Sequence, residues 1–225
     1  MSRAERDAPY AVLFDLDGTL IDSIGLLVAS MEFAFGTRTR RPVVADWVAA
    51  IGTPLMAMLR PFAEDEGDAD ILIGRYREYQ MANHDEGTTA YPGAVETVRA
   101  LCEAGHPLAI VTSKLERGAR RSLAHIGLED CFQAVVGIDA TEKHKPGPEP
   151  VWHALELIGA RCERAIFIGD STHDMRAGRA AGVQTGAALW GPFSRAQLEV
   201  TGPDHWFAHI SEVPATVARL DEKGR

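Results

Sequence analysis

The chain has only three cysteines, Cys102, Cys131 and Cys162, with no Cys-x-x-Cys pair among them. Their wide spacing and odd number speak against a disulfide framework and predict small core or surface thiols in a reducing compartment. No apolar run approaches the roughly 20 residues that a membrane-spanning helix needs. The N-terminal stretch Met1-Ser2-Arg3-Ala4-Glu5-Arg6-Asp7 is charged and leads straight into apolar sequence, so a cytoplasmic protein is expected. Positive charge is scarce too: 23 Lys and Arg face 32 Asp and Glu, for a formal net charge of -9. That balance predicts no nucleic-acid partner and no membrane partner. Internal repeats, low-complexity tracts and a Walker-type Gly-rich loop are also missing.

What is there describes an ordinary globular chain: 225 residues, 46% hydrophobic and 24% charged, enough for one substantial α/β domain or for a core domain with an insert. The run Tyr10-Ala11-Val12-Leu13-Phe14 shows no polar alternation, which predicts a parallel strand buried on both faces. After Leu20 the spacing of apolar residues becomes helical and stays so for about 65 residues. Helices are predicted over 23–35, 43–51, 54–66 and 69–84, with stops at Gly36, Gly52-Thr53-Pro54 and Gly67-Asp68. From Tyr91 onward, helical stretches alternate with short apolar runs at 108–111, 134–136, 165–168 and 183–189. This order predicts a doubly wound parallel α/β sheet with an all-helical cap inserted after its first strand. The core domain would comprise 1–20 and 90–225, and the cap 21–89.

Each apolar run is followed by residues suited to chemistry on phosphate. The first leads into Asp15 and Asp17, the second into Thr112-Ser113-Lys114, the third, after a loop, into Lys143-His144-Lys145-Pro146, and the fourth into Gly169-Asp170-Ser171-Thr172-His173-Asp174. In a parallel sheet all these strand ends lie on one edge, so the groups converge in space. Carboxylates gathered beside a few fixed cations suggest a metal-assisted phosphoryl-transfer site, in which the ion and the cations reverse the acidic local field.

In these motifs the chain resembles the haloacid dehalogenase-like superfamily, in its phosphatase branch with a small helical cap. The resemblance runs over Asp15 to Leu20 (D-x-D-G-T-L), Thr112, Lys145 to Pro148 (K-P-x-P) and Gly169 to Asp174 (G-D-S-x-x-D), and it covers essentially the whole chain. It implies Mg²⁺-dependent hydrolysis of a small phosphorylated metabolite through an aspartyl-phosphate. Asp15 would be nucleophile and metal ligand, and Asp17 the acid/base, with its backbone carbonyl on the metal. Asp170 would be the main distal ligand, and Asp174 a further one, directly or through water. Thr112 and Ser113 would bind the phosphoryl group, and Lys145 would hold Asp15 ionised.

Single residues divide the superfamily further. Dehalogenases lack the second aspartate, which is present here as Asp17; phosphonate hydrolases use a cap lysine, and none occurs between Leu20 and Tyr91; sugar-phosphate mutases of this type carry Glu-Asp where this chain has Gly169-Asp170. Substrate choice would fall to the cap, through Gly52 in the loop 51–55 and through Arg60 or Arg75 on a second anionic group. The overall pattern is similar to phosphoglycolate phosphatases. The segments 76–95 and 190–210 are also similar to the superfamily's pyrophosphatases, the alternative reading. From another class, a phospho-accepting receiver module shares the aspartate cluster, hydroxyl and lysine, but Asp17 is placed to remove its phosphate. Of the remaining groups, Ser171 is expected to cap the helix after it, Lys143 to be solvated, and His84-Asp85 to sit at the cap hinge. Lys114 would either contact substrate or begin a helix as an exposed lysine. The expected assembly is a monomer or homodimer.

Overall fold

Strand β1 (Ala11–Phe14) is buried at every position. Its side chains alternate between two apolar layers: Val12 and Phe14 join one cluster, and Ala11 and Leu13 the other. We describe a computed structural model of the chain, covering residues 8–223. From β1 the chain passes through β2 (Ile21–Asp22) into α1 (Ile24–Phe35), α2 (Val44–Ala50), α3 (Leu55–Leu59), a 3-10 turn (Arg60–Phe62) and α4 (Glu66–Ala82). It returns through β3 (Thr89–Ala90), antiparallel to β2, so both crossings between sheet and helical insert run through one short ribbon. Then follow α5 (Ala94–Glu103), β4 (Leu108–Val111), α6 (Glu116–His125), β5 (Ala134–Val136), α7 (Glu149–Leu157), β6 (Ala165–Gly169), α8 (Thr172–Ala181), β7 (Gln184–Ala188), α9 (Arg195–Glu199), β8 (His205–Phe207) and α10 (Val213–Lys223).

The main sheet has six strands in the order β5-β4-β1-β6-β7-β8, all parallel. Strands β4 and β5 extend it on one side of β1 and β6 to β8 on the other, so the order reverses between β1 and β6. A doubly wound sheet opens its crevice at such a reversal. Register aligns the strand ends there: Phe14 pairs with both Ile110 and Ile168. Val98 and Leu101 of α5, Leu123 of α6 and Val217 of α10 cover one face, and Val151 and Leu155 of α7 with Ala177 of α8 cover the other. The helical insert has an apolar cluster of its own, built on Met31, Phe35, Trp47, Leu59, Leu72 and Tyr76.

Three local expectations need correction. The predicted helix over 54–66 ends at Leu59 and passes through the 3-10 turn at Pro61 into extended Ala63. Gly67-Asp68 is no stop but the first turn of α4: the Asp65 side chain accepts the Asp68 N–H and caps that helix. Strand β8 was not foreseen, because His205-Trp206-Phe207 is short and half polar; it is held to β7 by Asp204, whose carboxylate accepts from the N–H and hydroxyl of Thr185 at 2.8 Å each. Trp190 is half-buried and donates its indole N–H to the Thr19 carbonyl at 2.8 Å. All three cysteines are free, and no helix among the described residues is long and apolar enough to cross a membrane.

Leu72 lies fully buried in the insert's cluster. Leu72→Ala is expected to destabilise the protein by about 2–5 kcal/mol, the usual range for a buried leucine, measured by urea denaturation.

Candidate active site

The end of β1 delivers Asp15, the end of β6 delivers Asp170, and the first turn of α8 delivers Asp174. All three are buried, and each offers an oxygen within 4.8 Å of the others. The sequence builds this locally. Ser171 is the N-cap of α8 and forms a reciprocal capping box with Asp174, whose Oδ2 accepts from the Ser171 N–H at 3.0 Å and from its hydroxyl at 2.6 Å. The same carboxylate that anchors the helix start is thereby turned toward β1. Gly18 and Gly191 pack against Asp170 so closely that a Cβ on either would lie within 3 Å of it. Thr19 donates its hydroxyl to Asp170 Oδ1 at 2.9 Å.

One cation stands among these carboxylates. Lys145 Nζ donates to Asp15 Oδ1 at 2.9 Å, to Asp174 Oδ1 at 2.6 Å and to the Val111 carbonyl at 3.1 Å, which uses all three of its protons. Burial works to lower the Lys145 ammonium, but Asp15 and Asp174 outweigh it and hold it above its ordinary range. Burial, and then the Asp174 charge, push the Asp15 carboxyl up to about 7 against the pull of Lys145. Asp170 is raised well above the usual carboxylate range by burial and by Asp174 and Asp15. Three acidic groups against one lysine leave an excess of buried negative charge on hard oxygen donors. That donor set fits a divalent cation such as those that bind oxygen ligands. Asp15 and Asp170 would hold it; both Asp174 oxygens already accept hydrogen bonds, which favours the water-mediated one of the two contacts expected for it.

Asp17 belongs to a second cluster. Its Oδ1 accepts from the Ser23 hydroxyl at 2.5 Å and from Lys114 Nζ at 2.6 Å. Its side chain is not part of the carboxylate group of Asp15, Asp170 and Asp174. Lys114, left open between substrate contact and exposed helix-start lysine, is thus engaged with Asp17, its side chain only 9% exposed. Lys143 pairs with Glu149 and is solvated, as expected.

Asp15 and Asp17 line a cavity of about 390 Å³ between insert and sheet edge, together with Gly52, Thr112, Ser113 and Lys114. The loop of the insert touches the core here: Ser113 donates its hydroxyl to the Gly52 carbonyl at 2.5 Å. Thr112 also accepts the Lys114 N–H at 3.2 Å, bracing its own turn. Arg60 is a correction. It does not line the cavity: its exposed guanidinium pairs with Glu66 of the α4 first turn at 2.5 Å instead. Arg75 likewise lies over the Phe33 ring and donates to the Phe33 carbonyl. The guanidinium residues that do line the cavity, Arg77, Arg117 and Arg121, were missed; Arg77 sits on the same helix as Arg75, and only the rotation of α4 separates them. His84 meets the hinge expectation: its ring nitrogens bond Asp85 at 2.7 Å and the Ser122 hydroxyl at 2.8 Å, joining the end of the insert to α6.

Because Asp170 is crowded by like charge, Asp170→Asn is expected to stabilise the metal-free protein by about 1–2 kcal/mol. The same change should abolish the rise in Tm that a divalent cation gives the unaltered protein, as read by thermal denaturation with and without chelator.

The haloacid dehalogenase-like hydrolase family matches residues 12–188, a span that contains Asp15, Thr112, Lys145, Asp170 and Asp174. Among curated relatives, the pyrophosphatase PpaX of Bacillus cereus is 36% identical over 211 residues, covering 93% of this chain and 97% of that protein. The pyrophosphatase PpaX of Halalkalibacterium halodurans is 38% identical over 175 residues, covering 77% and 80%. Among solved structures, one described as a predicted phosphoglycolate phosphatase from Haemophilus somnus superposes with a TM-score of 0.85 at 22% identity, covering 92% of this chain and 97% of the other. A haloacid dehalogenase-like family hydrolase from Streptococcus pneumoniae gives 0.81 at 25% identity, covering 92% and 98%. With the four motifs converging at the switch point of the sheet, the chain belongs to the haloacid dehalogenase-like hydrolases.

Proposed function

We propose that the protein hydrolyses the phosphate monoester of a small metabolite, with Mg²⁺ as cofactor, through an aspartyl-phosphate on Asp15, after the manner of phosphoglycolate phosphatases. The observation that carries this reading is the pairing of Lys145 Nζ with Asp15 Oδ1 at 2.9 Å, on the one carboxylate of the buried cluster that lines the same cavity as Asp17. A carboxylate fixed in this way is a positioned nucleophile, and a second carboxylate two residues on is a proton carrier.

In the first half-reaction an Asp15 oxygen bonds to phosphorus while the bond from phosphorus to the leaving oxygen breaks, and Asp17 delivers a proton to that oxygen. In the second, Asp17 takes a proton from water as the water oxygen bonds to phosphorus. The Asp15–phosphorus bond then breaks, releasing inorganic phosphate and restoring the carboxylate. Thr112 offers its hydroxyl and Ser113 its backbone N–H to the phosphoryl oxygens, where charge builds in the transition state, while the Ser113 hydroxyl is committed to the Gly52 carbonyl. Lys145 keeps Asp15 oriented and offsets charge on the transferring group. Mg²⁺, when bound by Asp15 and Asp170, supplies the charge that lets an anionic nucleophile approach an anionic ester. On this reading residues 21–89 act as a cap over a core of 1–20 and 90–225. The three free thiols support a cytoplasmic setting.

Inorganic pyrophosphate is the second reading. It is favoured by the names of the relatives at 36–38% identity and by Lys114, Arg77, Arg117 and Arg121 around the cavity, which could hold a second phosphoryl group. The receiver-like reading loses support from membership in a hydrolase family.

Phosphate release with Mg²⁺ from 2-phosphoglycolate, several sugar phosphates and pyrophosphate tests the choice. The monoester reading expects a higher kcat/KM on one of the esters; a preference for pyrophosphate would replace it. Asp15→Asn should lower kcat by about 10³-fold or more with the circular dichroism spectrum unchanged. Substantial turnover by that variant would remove Asp15 as the nucleophile.

A further inference from the structure

The cavity at Asp15 and Asp17 is far larger than a phosphoryl group requires, and its about 390 Å³ lies in the range of sites that enclose a whole organic ligand. Its composition is divided. The cations lie on α4 and on α6 with the turn before it, whereas the wall from α2 and α3, over residues 47–58, contributes Trp47, Ile51, Leu55 and Met58 and no charged residue. Ile73 and Tyr76 of α4 continue that wall. Trp47, Ile73 and Tyr76 are anchored in the insert's own apolar cluster, with Leu55 and Met58 packed against it, so the surface is backed by packed side chains. The reaction at phosphorus uses none of these groups. A second phosphoryl group lodged against them would be desolvated without a partner, whereas a hydrocarbon body would gain by leaving water. Methionine also adapts its shape to ligands of varied outline.

We propose that the leaving group of the natural ester is an alcohol with an extended apolar body, seated against the α2–α3 wall. The substrate is then an amphiphilic phosphate monoester rather than pyrophosphate or a compact polar ester. The inference rests on the monoester reading and names its substrate class.

A homologous series of n-alkyl phosphates, methyl to octyl, assayed on the full-length protein with Mg²⁺ beside 2-phosphoglycolate and pyrophosphate, tests it, with Asp15→Asn as the blank. The expected result is a rise in kcat/KM of about 3–4-fold per methylene through the middle of the series, the factor that burial of one methylene supplies. A flat or falling series, with methyl phosphate, phosphoglycolate or pyrophosphate still turned over, overturns the apolar leaving group and leaves the hydrolase reading standing. No Asp15-dependent release from any compound overturns both. Leu55→Asn and Met58→Asn, three residues apart on α3, should each flatten the rise with chain length. A slope unchanged in both folded variants would place the alkyl chain elsewhere and defeat the proposal.

Discussion

The confinement of Asp15, Asp170 and Asp174 around a single lysine is the constraint on which the rest of the structure depends. Buried carboxylates repel one another and resist ionisation, as the raised Asp15 and Asp170 carboxyls record. Such a cluster survives only where every surrounding group is arranged for it. Lys145 commits all three protons to the site, Ser171 holds Asp174 by two hydrogen bonds, and Gly18 and Gly191 make room for Asp170 by having no side chain. The arrangement is poor for stability and good for capturing a cation, a common division of interests in a hydrolytic site.

Asp17 is separated from that cluster by a short distance in sequence and by a change of neighbours. Asp17 turns to Ser23, just before the insert's first helix, and to Lys114, just before α6. Its setting therefore depends on both parts of the molecule. Tyr76, from the middle of α4, also lies close enough for the Asp17 charge to help burial raise its hydroxyl. The bond from Ser113 to the Gly52 carbonyl is a further tie across the same gap. The seating of the insert on the sheet edge and the surroundings of Asp17 thus rest on the same contacts.

Much of this was legible in the chain. Unbroken apolar runs reveal buried parallel strands because burial on both faces leaves no position for a polar residue, and β1, β4, β5 and β6 follow that rule. Motif residues sit where the strands end because backbone order dictates it, and Lys145 could be told from Lys143 by the proline after it. Elsewhere local pattern misled. Gly67-Asp68 looks like a helix stop, yet with Asp65 before it the pair forms a capped first turn. The three residues of β8 have too little length or alternation to mark a strand, and only pairing with β7 makes them one.

Local composition and periodicity, then, determined the order of elements, the carboxylates and hydroxyls at one sheet edge, and the presence of a helical insert, since each depends on residues close together along the chain. Tertiary structure alone decided which cations reach the site. Arg60 and Arg75 face away, Arg77, Arg117 and Arg121 line the cavity, and Lys114 takes Asp17. It also decided that the α2–α3 wall of the cavity lined by Asp15 and Asp17 carries no charged residue. The physical reason is that a helix's rotation about its axis and its docking on a neighbour are fixed by packing between distant segments, and the spacing of residues within any one segment does not record them.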